Sequence, residues 1–173
     1  MTSVAPDAQI DVAIQDPVWE ETAGIENLVT TTVRTALAMA KLPKKIDGKK
    51  LEISFMLAND ELTHVLNREY REKDKPTNIL TFAALDDEHA PLGPDTISLG
   101  DVVLSYQTIE REAKEQGRFL RDHITHLIVH GTLHLLGYDH IEDHQATDME
   151  TLEIRILEKL GVQNPYTQKI TMS

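Results

Sequence analysis

Residues 130–140 read HGTLHLLGYDH and set three histidines, His130, His134 and His140, around a glycine. Five of the chain's eight histidines lie between His123 and His140. On a helix, residues four apart project side by side, about 5–6 Å between Cβ atoms. The imidazoles of His130 and His134 can therefore both reach one zinc ion at about 2.0–2.1 Å. A third ligand one turn further on would be displaced along the axis. Gly137 removes that problem, because glycine takes the left-handed conformation that ends a helix; the YDH segment can then fold back and bring His140 to the third corner. Three histidines with an open fourth position describe a catalytic rather than a structural zinc site. The chain has no cysteine, so a thiolate site is excluded and any metal must sit on His, Asp or Glu. Three imidazoles also suit nickel, copper or cobalt. Asp139 is either a partner that orients an imidazole or a turn residue, and nothing in the spacing demands His123, His126 or His144 as ligands.

Such ligands need a rigid support, and residues 120–136 read as one. At 100° per residue, His123, His126, His130 and His134 fall within about 80° of one helical face. The rest of that segment is nearly all apolar: Ile124, Leu127, Ile128, Val129, Leu133, Leu135 and Leu136. This is the pattern of a buried helix with one polar stripe, which must face polar partners or a cavity because an unsatisfied buried imidazole is costly. Strands are expected at 10–15, 51–57, 77–83 and 98–106, where apolar residues alternate or run together. Further helices are expected at 21–41, from an Asn59 or Asp60 cap to about Tyr70, at 106–116 before Gly117, and at 145–160. LPKKIDGKK (42–50) is a connection broken by Pro43 and Gly48. The expected fold class is α/β (α+β-like): a single domain with a small four-stranded mixed sheet, about five helices, and the metal-binding helix buried. Residues 1–8 are expected to be loose, 9–162 to form the domain, and 163–173 to be a polar tail. The acidic loop 85–95 is longer than a compact hairpin needs; a lid, a partner contact or neither is open for it.

With 173 residues and 40% hydrophobic content, the chain suits one domain with a real core. It has no apolar run near the ~20 residues that cross a bilayer, and no membrane partner is expected. The opening MTSVAPDAQI lacks a basic start followed by an apolar stretch, so a cytoplasmic location is the expectation. A net charge of -12 speaks against a polyanionic partner. The charge is uneven, however: residues 41–75 hold nine basic and seven acidic side chains, a net +2, which leaves −14 for the rest.

The histidine spacing also occurs in metzincin peptidases, H-E-x-x-H-x-x-G-x-x-H, where the glutamate is the general base. Here that position is Gly131, which does no acid–base work. Residues 130–140 instead resemble the signature of the YbeY family of bacterial endoribonucleases. YREKDKPTNILTF (70–82), with Ile79 a mild change, and LGDVVLS (99–105) resemble two further segments of that family, in the right order over residues 51–160. The resemblance implies a single-strand-specific, zinc-dependent endoribonuclease acting in small-subunit rRNA 3′ maturation and ribosome quality control. It implies metal ligands at His130, His134 and His140, a functional arginine at Arg71, and partners in single-stranded RNA, the small ribosomal subunit and its assembly proteins; DNA is not expected. The chemistry agrees: such a metal lowers the pKa of water toward ~7 and stabilises charge developing on phosphorus, and Arg71 can grip a phosphate bidentately. The bland reading of Arg71 is an ion pair with Glu72 or Asp74. Thr77 and Asn78 suit a phosphate or a strand-entry cap, and Tyr138 suits base stacking or packing at the helix end. The general base is not assigned. Two alternatives stand beside this reading: a metallopeptidase-like hydrolase, and a non-catalytic ribosome-assembly factor with a structural metal.

Overall fold

In the computed structural model residues 6–84, 95–138 and 143–166 are described. Four strands, β1 (Ala8–Ile14), β2 (Lys50–Ala58), β3 (Ile79–Ala83) and β4 (Thr96–Ser105), form one sheet in the order β1-β2-β4-β3. β1, β2 and β4 run parallel, and β3 pairs antiparallel with β4. Among the described residues there are five α-helices: α1 (Ile25–Met39), α2 (Asp60–Arg71), α3 (Tyr106–Gln116), α4 (Leu120–Leu135) and α5 (Asp143–Lys159). This is the expected α/β mixed sheet with five helices.

The local causes are visible in the caps. Asn59 opens α2 by accepting the Leu62 N–H at 3.0 Å, and Gly117 ends α3 in the left-handed region at φ 66°. α1 starts later than its apolar spacing suggests. Asp16 caps a separate 3-10 turn at Pro17–Glu21, and Gly24, at φ 66°, resets the chain before Ile25. At the N-terminal end, Ala8 is buried and pairs with Leu51, so the sheet reaches one residue into the segment expected to be loose.

The sheet carries apolar clusters on both faces. On one face Leu80 and Val103 pack with Ala58 against Leu62 and Leu66 of α2. On the other lies the main core, with α4 at its centre touching α1, α3, α5, β3 and β4. α4 is buried as expected; ten of its residues, from His123 to Leu135, are inaccessible. No helix among the described residues is long and apolar enough to cross a membrane.

Two glycines allow close approaches to β3, one from α4 and one from β4. Gly131 lies against β3: a Cβ there would sit 2.8 Å from Ile79 Cδ1 and 3.5 Å from both Thr81 and Val102 side chains. Gly100 follows a β-bulge, since Glu52 pairs with Ser98 but Ile53 with Gly100, leaving Leu99 as the extra residue. Its φ is 130°, and a Cβ would lie 2.1 Å from the Phe82 carbonyl oxygen. Only glycine fits there.

Candidate metal centre and cleft

Each of His123, His126, His130 and His134 on the stripe of α4 meets at least one polar partner, although His126 Nε2 is buried without a hydrogen bond. At the C-terminal end of the stripe, His130 Nε2 and His134 Nε2 lie 3.0 Å apart. Two ligands at zinc distance on tetrahedral corners would span about 3.3 Å, so the pair fits a shared metal closely. Behind it, His130 Nδ1 meets Glu153 Oε1 at 2.5 Å. With its Nδ1–H donated to that carboxylate, the neutral imidazole carries its lone pair on Nε2, facing His134. The donor set and its orientation therefore suit a divalent transition metal. Among the described residues no group of three or more such ligands assembles; His140 and Asp139 lie outside the described residues.

Glu153, on α5, is the residue the sequence reading missed. It has no exposed surface. Its Oε2 accepts the hydroxyl of Tyr166 and lies 3.7 Å from His126 Nε2, an ion-pair rather than a hydrogen-bond distance. Burial pushes the carboxyl up, but His126, His130 and the Tyr166 hydroxyl together outweigh it and hold the pKa at about 2. Glu153 is thus a buried anion facing the histidines. Burial and the nearby carboxylate push the Tyr166 phenol well above its ordinary value, which keeps it a donor. The available signal was an acid at a buried helical position: Met149, Glu153, Ile156 and Leu157 line one buried stripe. Tyr166 belongs to the stretch expected to be a polar tail, yet it reaches this site.

The network continues up the stripe. Arg118 Nη1 lies 3.3 Å from His126 Nδ1 and 3.0 Å from His123 Nδ1. His123 Nε2 is 2.9 Å from Glu112 Oε1, and that carboxylate accepts both contacts from Asn78 Nδ2, at 3.0 and 3.2 Å. Burial lowers the pKa of His126, favouring the neutral ring. His123 and His126 are therefore supports within the fold, and Asn78 belongs to this network rather than to a phosphate site. Among the described residues Thr77 makes only a long contact, its N–H donating to Thr63 Oγ1 at 3.4 Å. Tyr138 packs at the helix end, where its hydroxyl accepts the Lys41 N–H at 3.1 Å.

Beside His134 opens a cleft of about 580 Å³ lined by His134, Arg71, Thr81, Phe82, Gly100 and Asp101, among others. It crosses the end of β3, from α4 on one face of the sheet to α2 on the other. Arg71, from the last turn of α2, is brought to the same cleft as His134. Its Nη2 donates to the Thr81 carbonyl at 2.8 Å, and its guanidinium lies 5.1 Å over the Phe82 ring. The ion pair with Glu72 or Asp74 is not formed among the described residues. Asp74 bonds His64 at 2.7 Å, and Glu72 caps α2 in the left-handed region.

The position of Gly131 also bears on the peptidase alternative. It is buried against Ile79 and Thr81, so the residue that carries the general base in metzincins here packs on the sheet.

Comparison with known proteins shows the family. Residues 12–161 match the family described as endoribonuclease YbeY. The chain belongs to the YbeY family. An endoribonuclease YbeY from Paramagnetospirillum magneticum is 45% identical over 163 residues, covering 93% of this chain and 97% of that protein. Another, from Erythrobacter litoralis, is 48% identical over 156 residues, covering 87% and 91%. The solution structure of a Thermotoga maritima protein shares the fold, with TM-score 0.51 at 18% identity, covering 88% of this chain and 91% of that one. Membership in the YbeY family supports a metal-dependent enzyme that hydrolyses RNA, and does not favour the peptidase reading.

Proposed function

We propose that the chain is an endoribonuclease for single-stranded RNA, acting in the cytoplasm on the 3′ region of small-subunit rRNA and in ribosome quality control. One zinc ion would be held by His130, His134 and His140. The observation that carries this reading is the pairing of His130, backed by the buried Glu153, with His134, which lines a cleft that also holds Arg71. The names of the relatives at 45% and 48% identity support the RNA-cleaving class.

When bound, a divalent ion supplies Lewis acidity toward a phosphoryl oxygen and acidifies a water molecule. The protein's own part is positioning. Glu153 fixes the tautomer and ring angle of His130. The Thr81 and Tyr70 carbonyls and the Phe82 ring hold the Arg71 guanidinium, whose remaining N–H groups can bond a phosphate as charge builds on it. The net charge of -12 works against unaided RNA binding, which favours delivery by the small ribosomal subunit or its assembly proteins.

The test is cleavage of a labelled single-stranded 3′ segment of small-subunit rRNA by metal-quantified protein, beside a His134→Ala variant. The reading expects cutting by the wild type, inhibition by a chelator, and a folded, metal-poor, inactive variant. Equal cutting by both proteins would remove the metal site from the reaction.

A further inference from the structure

Beside the cleft, at Arg71 and Phe82, two aromatic rings and a fixed cation form one surface. Tyr70, the penultimate residue of α2, is 61% exposed. Its ring meets Phe82 with centroids 5.7 Å apart at 79°, the edge-to-face arrangement that aromatic pairs favour. Arg71 covers the same Phe82 ring and is tethered to the Thr81 carbonyl. Among the described residues, no carboxylate lies within ion-pair distance of that guanidinium.

An exposed tyrosine at a helix end contributes little to the core. A guanidinium held over a ring, with no counter-ion among the described residues, has N–H groups left to bond an anion. A nucleotide unit has the matching pair of features, a flat base beside a phosphate. Arg71 provides for the phosphate; Tyr70, braced by Phe82, provides a flat apolar face for the base, and stacking of that kind accepts any base.

Resting on the ribonuclease reading, we propose that Tyr70 and Phe82 form a nucleobase-stacking subsite that seats one unpaired nucleotide of single-stranded RNA beside the phosphate held by Arg71. The subsite selects against duplex RNA, because a base paired and stacked within a helix cannot lie on Tyr70. It adds substrate affinity, and it touches neither the metal ligands nor the bond that breaks.

The experiment compares the metal-loaded full chain with Tyr70→Ala and Tyr70→Phe on a fluorescein-labelled single-stranded 12-nucleotide RNA, over a range of salt. Loss of one stacked base corresponds to about a tenfold rise in KM for Tyr70→Ala, with kcat and metal content unchanged and Tyr70→Phe close to wild type. The slope of log KM against log salt should be unaltered by Tyr70→Ala but lowered by about 0.7 in Arg71→Ala, since only the arginine neutralises a phosphate. One abasic position in the RNA should weaken the wild type and leave Tyr70→Ala unaffected. An unchanged KM in Tyr70→Ala, or an equal loss in Tyr70→Phe, overturns the subsite while wild-type cleavage keeps the enzyme reading. A metal-loaded wild type that does not cut the RNA overturns both.

Discussion

Replacing Glu153 by glutamine tests how the metal centre is built. The substitution keeps the shape of the side chain and removes its charge from a site with no solvent exposure. In the wild type the carboxyl titrates at about 2 instead of the usual 4.5. At about 1.4 kcal/mol per pKa unit, that depression links to roughly 3 kcal/mol of folding stability. The sign follows from the lowered value. The contribution is fully present above pH 4.5 and disappears as the pH falls toward 2. Chemical denaturation of metal-free protein between pH 7 and pH 2 should therefore show Glu153→Gln less stable by up to about 3 kcal/mol at neutral pH. The gap should narrow through the acid range. Loss of the carboxylate behind His130 should also weaken metal binding by about 10–100-fold, read by competition with a chromophoric chelator at pH 7. Two parallel stability-versus-pH curves together with unchanged metal affinity would refute the account of Glu153 as the anion that orients His130.

Gly131→Glu, which restores the metzincin sequence pattern, should yield no peptidase activity. It should cost about 1–3 kcal/mol in thermal denaturation, because the new Cβ would lie 2.8 Å from Ile79 Cδ1. Gly100→Ala should be worse, about 3 kcal/mol or more or failure to fold, since its Cβ would overlap the Phe82 carbonyl oxygen in a backbone region that L residues rarely adopt; circular dichroism and expression yield would show it. Arg71→Lys keeps the charge but loses the flat group over Phe82 and the fork that bonds phosphate. Cleavage should drop about tenfold or more, with metal content and the salt slope near wild type.

The pairing of His130 with His134 is legible in the sequence because it is a local property. His130 and His134 share a helix face by the 3.6-residue period alone, and the apolar residues between them require that helix to be buried. Gly117 and Asn59 likewise mark the ends of α3 and α2 through conformations and caps that need no distant partner. Arg71 was different. Its geometry reads from neither charge nor period, and the resemblance of 70–82 to the YbeY pattern is what brought it forward.

Tertiary packing decided everything that depends on separate elements meeting. Glu153 lies 23 residues from His130 and Tyr166 a further 13 on; the contact of α5 with α4 turns an ordinary glutamate into the buried anion that aims a ligand. The same packing drew His123, His126 and Asn78 into supporting hydrogen bonds, because polar groups buried between helices must find partners. It set Asp74 on His64 and left Arg71 facing the cleft. It also fixed Gly131 and Gly100 as points of close approach, one between α4 and β3 and the other between β4 and β3. Helical and strand periods are written within a few neighbouring residues. Which buried charge faces which, and how near two backbones come, depends on chain segments that only the folded core brings together.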